Sequence, residues 1–148
     1  MDLKGIYMRH IVNKSINIWF IQVTSYLGGV FMRLYSEDFF TTPQQHIAVE
    51  PRIPQPIFPE HTHDFSEIFL VTQGIGTHVL NGRPYTLCPG MVCYIKSSDY
   101  HLFENVANLN LTNVLYRSDS SFTYLNNINH LFPTDTEKNI SHWLLSKL

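Results

Sequence analysis

Cysteine is scarce in this chain, charge of either sign is nearly cancelled, and no apolar run is both long and uninterrupted. The two cysteines, Cys88 and Cys93, make neither a disulfide framework nor a recognisable zinc pair. Their odd spacing would turn them to opposite faces of a strand, and they read as small buried hydrophobes of a reducing cytosol. The formal charge is −2, and Lys4, Arg9 and Lys14 against Asp2 give residues 1–31 a balance of +2, leaving −4 for the remainder. Such a balance offers no footprint for a phosphate backbone, so this chain alone is not expected to grip DNA. The longest apolar stretch, Ile16–Met32, is interrupted by Asn17, Gln22, Thr24 and Ser25. It is too polar for a membrane span and lacks a clear small-residue cleavage signal. No internal repeat or low-complexity tract is present. What is there is 44% hydrophobic and 14% aromatic over 148 residues, enough for one domain with a real core and unlike a disordered tail. Patterned sequence begins only after Met32, so residues 1–31 are expected to be an extension upstream of the true start.

From about Gln45 onward short strands alternate with turn signals. His46–Glu50 alternates and runs into Pro51-Arg52-Ile53-Pro54-Gln55-Pro56, where the prolines forbid helix and suit an edge or a surface loop. Phe65–Thr72 is rich in β-branched and aromatic residues and is expected to stop at Gly74 and Gly76. Thr77–Leu80, Asn81-Gly82 and Pro84–Leu87 read as a hairpin, because Asn-Gly supplies the positive φ angles of a type I′ turn. Pro89-Gly90 marks another turn, followed by strands at Met91–Ile95, His101–Glu104 and Asn110–Tyr116. Strands at this spacing indicate an antiparallel sandwich or barrel. Beyond Arg117 the period changes: Phe122, Leu125, Ile128 and Leu131 recur at helical spacing, with Asp119 or Ser120 as N-cap.

The cluster with chemical potential is His61-Thr62-His63, then Glu67, then Gly74. On an extended backbone His61 and His63 share a face, and Glu67, taken as lying on the next stretch of the same strand, can join them. Two imidazoles and a carboxylate are the ligand set of many non-haem iron, manganese or nickel sites. The spacing resembles the first cupin motif, His-x-His, three residues, Glu, six residues, Gly. The second cupin motif fits loosely around Gly82, Pro89 and Gly90: Cys88 stands where the motif has proline, and Cys93 where it has the fourth metal ligand, a histidine. That departure argues against a metal; if one binds, His61, His63 and Glu67 would hold it. The alternatives are solvated histidines without function at a barrel mouth, and recognition of a small hydrophilic molecule. Recognition is the reading preferred, since imidazole and carboxylate bring both donors and acceptors to an apolar cavity. Tyr94, Phe69 or Phe65 could add the aromatic face that sugars favour.

A longer resemblance covers about residues 32–143. Glu50-Pro51-Arg52-Ile53-Pro54-Gln55, then Phe58-Pro59-Glu60-His61-Thr62-His63-Asp64-Phe65 with Glu67-Ile68, is similar to the start of the L-rhamnose operon activators of the AraC family. The similarity continues through Gly76, His78-Val79, Asn81-Gly82, Pro84-Tyr85-Thr86, Gly90, Val92-Cys93, His101-Leu102 and the run LTNVLYRS from Leu111, with a last echo at Ser141-His142-Trp143. The resemblance implies an all-β cupin-type double-stranded β-helix that senses L-rhamnose, with no catalytic residues, no cofactor and a cytoplasmic location. It implies an arm at residues 32–44, of which Arg33–Thr42 would fold over the sugar, a barrel at 45–118, and at 119–148 the start of a helical pairing region. The parent protein would be a homodimer, reaching promoter DNA and RNA polymerase through a carboxy-terminal domain not contained in these 148 residues. No sugar contact transfers from a motif; strand facing alone nominates His61, His63, Glu67, His78, Tyr94 and Cys93. A small metal-dependent cupin enzyme, an isomerase or dioxygenase, is the alternative.

Overall fold

Burial alternates with period two along most of the chain, the signature of strands with one face inward. The computed structural model describes residues 22–26, 29–117 and 142–144. Among these are nine strands: β1 (Gln22–Tyr26), β2 (Gly29–Leu34), β3 (Ile47–Arg52), β4 (Phe58–His63), β5 (Ser66–Leu80), β6 (Arg83–Leu87), β7 (Met91–Ile95), β8 (His101–Tyr116) and β9 (His142–Leu144). The described helical structure is one 3-10 turn at Ser36–Asp38. The architecture is all-β and cupin-type. A carboxy-terminal helix is not part of what the structure describes: Phe122, Leu125, Ile128 and Leu131 lie outside the described residues. The three residues of 119–148 that are described form strand β9.

Two long strands organise the sheet. β5 and β8 run antiparallel from Ser66↔Tyr116 to Leu80↔His101, with register shifts between Val71 and Thr77. At one end β5 also pairs with β7 and β8 with β3; at the other β5 pairs with β6 and β8 with β4. Each long strand therefore serves both walls of the barrel. Glycine at 74 does not stop β5, as its sequence suggested, but bends it. Gly74 has φ +77° and packs against the backbone of Asn108, which, like nearby Asn105, also has positive φ, and a bulge of this kind kinks a strand while pairing continues. The kink changes which residues face inward: Glu67, Phe69 and Val71 before it, Gly76, His78 and Leu80 after it.

Elsewhere local chemistry and structure agree. Asn81 and Gly82 both have positive φ between Leu80 and Arg83, the two-residue hairpin that Asn-Gly favours. β3 takes a proline because it is paired on β8 alone, and an edge tolerates the missing donor. β4 and β5 are separate strands turned against each other at Asp64-Phe65, not one continuous strand carrying His61, His63 and Glu67. The apolar interior falls into two clusters. One gathers Phe69, Val71, Leu80, Leu87, Cys93, Ile95, Phe103, Leu109 and Leu111; the other Met32, Leu34, Phe40, Ala48, Phe65 and Leu115.

A methyl at Gly74 would lie 2.1 Å from the Asn108 carbonyl oxygen, whereas at Gly82 the nearest atom is the Tyr100 hydroxyl at 3.5 Å. Both substitutions carry the left-handed backbone penalty of about 1–2 kcal/mol, but only Gly74→Ala forces two backbones apart. Gly74→Ala is expected to cost at least about 2 kcal/mol more than Gly82→Ala in urea unfolding; equal losses would mean the corner is compliant.

Candidate functional site

Cross-strand pairing assembles the site. His61 of β4 faces His101 of β8, and their rings lie 4.1 Å apart. Glu67 of β5 stands between Leu115 of β8 and Ile95 of β7. Asn113 falls on the inward face of β8 between Leu111 and Leu115, and Arg52 ends β3 on the side of its buried Ala48. Together with Gln55 these polar groups line a pocket of about 440 Å³, mouth included, whose apolar walls are Leu34, Phe39, Pro56, Phe58, Phe65, Phe103 and Leu115. That mixture, apolar walls with a few convergent polar groups, is characteristic of small-molecule sites. Phe39 packs edge-on against Phe65 at 5.2 Å. Arg117 ties the preceding segment down: its guanidinium donates to the Ser36 hydroxyl and the Gln45 carbonyl, each at 3.0 Å, and lies over the Phe40 ring.

Several buried polar atoms here have no hydrogen-bond partner within the protein: His63 Nε2, Glu67 Oε1, His101 Nε2 and Asn113 Oδ1. Orphaned buried acceptors and donors are costly, and their convergence marks where a polar guest gains most. His63, Glu67 and His101 each offer an atom within 4.8 Å of the others, and His63 Nε2 lies 3.8 Å from Glu67 Oε2. The Nδ1 of His63 donates to the Phe65 carbonyl; in a neutral ring that leaves Nε2 with a lone pair directed at the carboxylate.

Of the residues nominated from sequence, His61 and Glu67 line the pocket, and His63 is fully buried behind them beside Glu67. His78 and Cys93 are not in the pocket wall. They sit one layer deeper with His142: His78 Nδ1 lies 2.7 Å from His142 Nε2 and 3.7 Å from Cys93 Sγ, and its Nε2 lies 2.9 Å from His101 Nδ1. Tyr94 joins neither group. It alternates with Cys93 and Ile95 along β7 and accepts a hydrogen bond from the Tyr116 hydroxyl at 3.0 Å. Phe65 supplies aromatic surface to the pocket, whereas Phe69 packs in the core. Arg52, Gln55, His101 and Asn113 were missed. Asn113 had a local signal, a polar residue in phase with Leu111 and Leu115; the others depend on pairing between remote strands.

Burial sets the protonation states. Desolvation holds His61, His63 and His142 down to about 4 and His78 and His101 well below the ordinary 6.5. It pushes Glu67 up from 4.5 to about 7, with the Arg52 charge pulling the other way. Histidines depressed in the folded state stabilise it fully above pH 6.5 and lose that contribution as pH falls toward 4. Glu67, raised, acts oppositely: its contribution is complete below pH 4.5 and is lost as pH rises through 7. Five groups outweigh one. The melting temperature is expected to fall steeply between pH 6.5 and 4, and Glu67→Gln to steepen the profile between 4.5 and 7 by removing the opposing contribution; a stability rising on acidification would contradict neutral buried imidazoles.

Residues 44–145 match the family described as the AraC-like ligand binding domain. The chain is 50% identical over 116 residues to the HTH-type transcriptional activator RhaS of Escherichia fergusonii, covering 78% of this chain and 42% of that protein. It is 50% identical over 115 residues to the RhaS of Klebsiella pneumoniae, covering 77% and 41%, and 48% identical over 118 residues to that of Mannheimia succiniciproducens, covering 80% and 44%. The chain thus spans less than half the length of these relatives. Among solved structures, a cupin protein from Bacteroides fragilis aligns with a TM-score of 0.43 at 12% identity, over 81% of this chain and 93% of that one. With a family match that takes in every strand from β3 to β9, the chain belongs to the AraC-like ligand-binding domain family.

Proposed function

We propose that this chain is the effector-sensing domain of an AraC-type transcriptional activator of rhamnose catabolism, and that L-rhamnose occupies the pocket between Arg52, His61, Glu67, His101 and Asn113. The observation that carries the reading is the set of orphaned polar atoms, Glu67 Oε1, His101 Nε2 and Asn113 Oδ1, on the residues of an otherwise aromatic and aliphatic cavity. A 6-deoxy sugar matches that division. Its hydroxyls would pair with the orphans, and its methyl group and ring face would rest on Phe58, Phe65 and Phe103. The relatives carry the name of transcriptional activators, which supports sensing over catalysis and a place in the cytoplasm. Among the described residues no helix is long and apolar enough to cross a membrane.

Sensing needs a second state with a different affinity for the sugar. The segment at residues 32–44 is the element suited to supply it, because Leu34 and Phe39 are themselves pocket walls. Sugar in the pocket would strengthen its closure, and the region at 119–148 would carry the change toward a second copy. Promoter DNA and RNA polymerase would be met by a separate domain; the relatives are named HTH-type transcriptional activators.

The runner-up is a metal-dependent cupin enzyme, favoured by the approach of His63, Glu67 and His101 within 4.8 Å. Stoichiometric iron, manganese or nickel in the purified chain, lost in a His61→Ala, His63→Ala double variant, would promote it.

Calorimetry separates the readings. L-rhamnose is expected to bind with measurable heat and L-fucose, its ring hydroxyls differently disposed, without. Asn113→Ala should weaken rhamnose binding about tenfold, the worth of one hydrogen bond at a desolvated site. Silence with both sugars removes the proposal.

A further inference from the structure

His78, Cys93 and His142 lie behind the pocket, and the sugar reading leaves them without a role. Three strands bring them together. Cys93 of β7 and His142 of β9 are direct cross-strand partners, so their side chains leave the sheet on the same face a few ångströms apart. His78 reaches them from the second half of β5, turned inward by the kink at Gly74. Their donor atoms all lie within 4.8 Å of one another, and all three residues are buried. We propose that His78 Nδ1, Cys93 Sγ and His142 Nε2 form a binding site for a thiophilic divalent ion of the zinc type.

The distances suit that ion. In tetrahedral zinc, with bonds of about 2.05 Å to nitrogen and 2.3 Å to sulfur, a sulfur and a nitrogen ligand sit about 3.6 Å apart and two nitrogens about 3.3 Å apart. Cys93 Sγ to His78 Nδ1 is 3.7 Å. His78 Nδ1 to His142 Nε2 is 2.7 Å, so the two rings need only separate by about half an ångström to reach the zinc spacing. One thiolate and two imidazoles form a soft donor set that selects zinc over magnesium or calcium.

The surroundings have the form of a metal site as well. Phe103 stacks on His78 with ring centres 4.9 Å apart, and Tyr85 stacks on His142 at 3.8 Å, holding both imidazoles in orientation and excluding bulk water. The other nitrogen of His78 meets His101 Nδ1 at 2.9 Å. Metal-bound histidines characteristically donate their remaining N–H to such a partner, which fixes the tautomer. With the ion on Nδ1, His78 carries its proton on Nε2 and donates it to His101. A neutral His101 then keeps its own proton on Nε2, the orphaned atom belonging to the pocket. An ion in this site therefore makes His101 a donor toward whatever the pocket holds. His142 keeps 8% of its surface exposed, giving a path of entry beside the short strand β9.

Cobalt(II) tests the site, because a cobalt–thiolate bond absorbs in the near ultraviolet and a cobalt–carboxylate bond does not. The full chain, stripped with chelator and titrated with cobalt, is expected to take up a stoichiometric amount with a thiolate charge-transfer band that zinc abolishes. Cys93→Ser should lose the band and Cys88→Ser keep it; Cys88 is the other free cysteine. His142→Gln, altering an edge strand and leaving the thiol in place, should weaken uptake at least tenfold, with circular dichroism confirming the fold of each variant. No band in the unaltered chain overturns the proposal, as does a band that survives Cys93→Ser. Uptake without a band that Glu67→Gln eliminates would assign the ion to His63, Glu67 and His101 and overturn it too.

Discussion

Closing a barrel around an interior of this size requires the two longest strands to bend at the same level without losing their pairing. The structure meets that requirement at one corner, where Gly74 passes against the backbone of Asn108 with no room for a side chain and where Asn105 and Asn108 adopt left-handed conformations. Most other features follow from this approach. On one side of the corner β5 sends Glu67 inward toward the pocket; on the other, with its alternation shifted, it sends His78 toward Cys93 and His142. A straight strand could not present both, because a period of two would turn one of the sets to solvent.

The interior so formed is unusual in its polarity. Five histidines, a glutamate and an asparagine are buried between two apolar clusters. They are tolerated because desolvation keeps the imidazoles neutral and the carboxyl partly protonated, so the barrel holds polar groups without the far larger penalty of naked charge. Neutral imidazoles are also the state in which histidine can both accept a hydrogen bond and coordinate a metal. The same burial that threatens stability in acid prepares the site for a ligand.

Two sites in series, joined by the contact between His78 and His101, would let events at β9 influence the pocket. β9 is the last described strand and, among the described residues, pairs with β7 alone, so whatever follows it in a longer protein is attached close to His142. At the opposite end of the chain, the segment held by Arg117 contributes Leu34 and Phe39 to the pocket wall. The pocket chamber is thus flanked by described segments from both ends of the chain.

Much of the local structure could be read from short-range chemistry. The Asn81-Gly82 hairpin, the strand Met91–Ile95 and the edge strand bearing Pro51 follow from backbone preferences that act over a few residues. The His61-Thr62-His63, Glu67, Gly74 spacing likewise pointed to the barrel interior. Reading Gly74 as a strand end failed because a glycine of positive φ serves a bulge as readily as a turn. Taking His61, His63 and Glu67 to share one strand failed because the corner at Asp64-Phe65 folds β4 away from β5. Arg52 and His101 in the pocket, Tyr94 on the outer face, and the meeting of Cys93 with His142 were settled by strand order and register. Those are properties of residues tens of positions apart, fixed by how the inward faces of β3, β5, β7, β8 and β9 pack around one another, and no local preference encodes them.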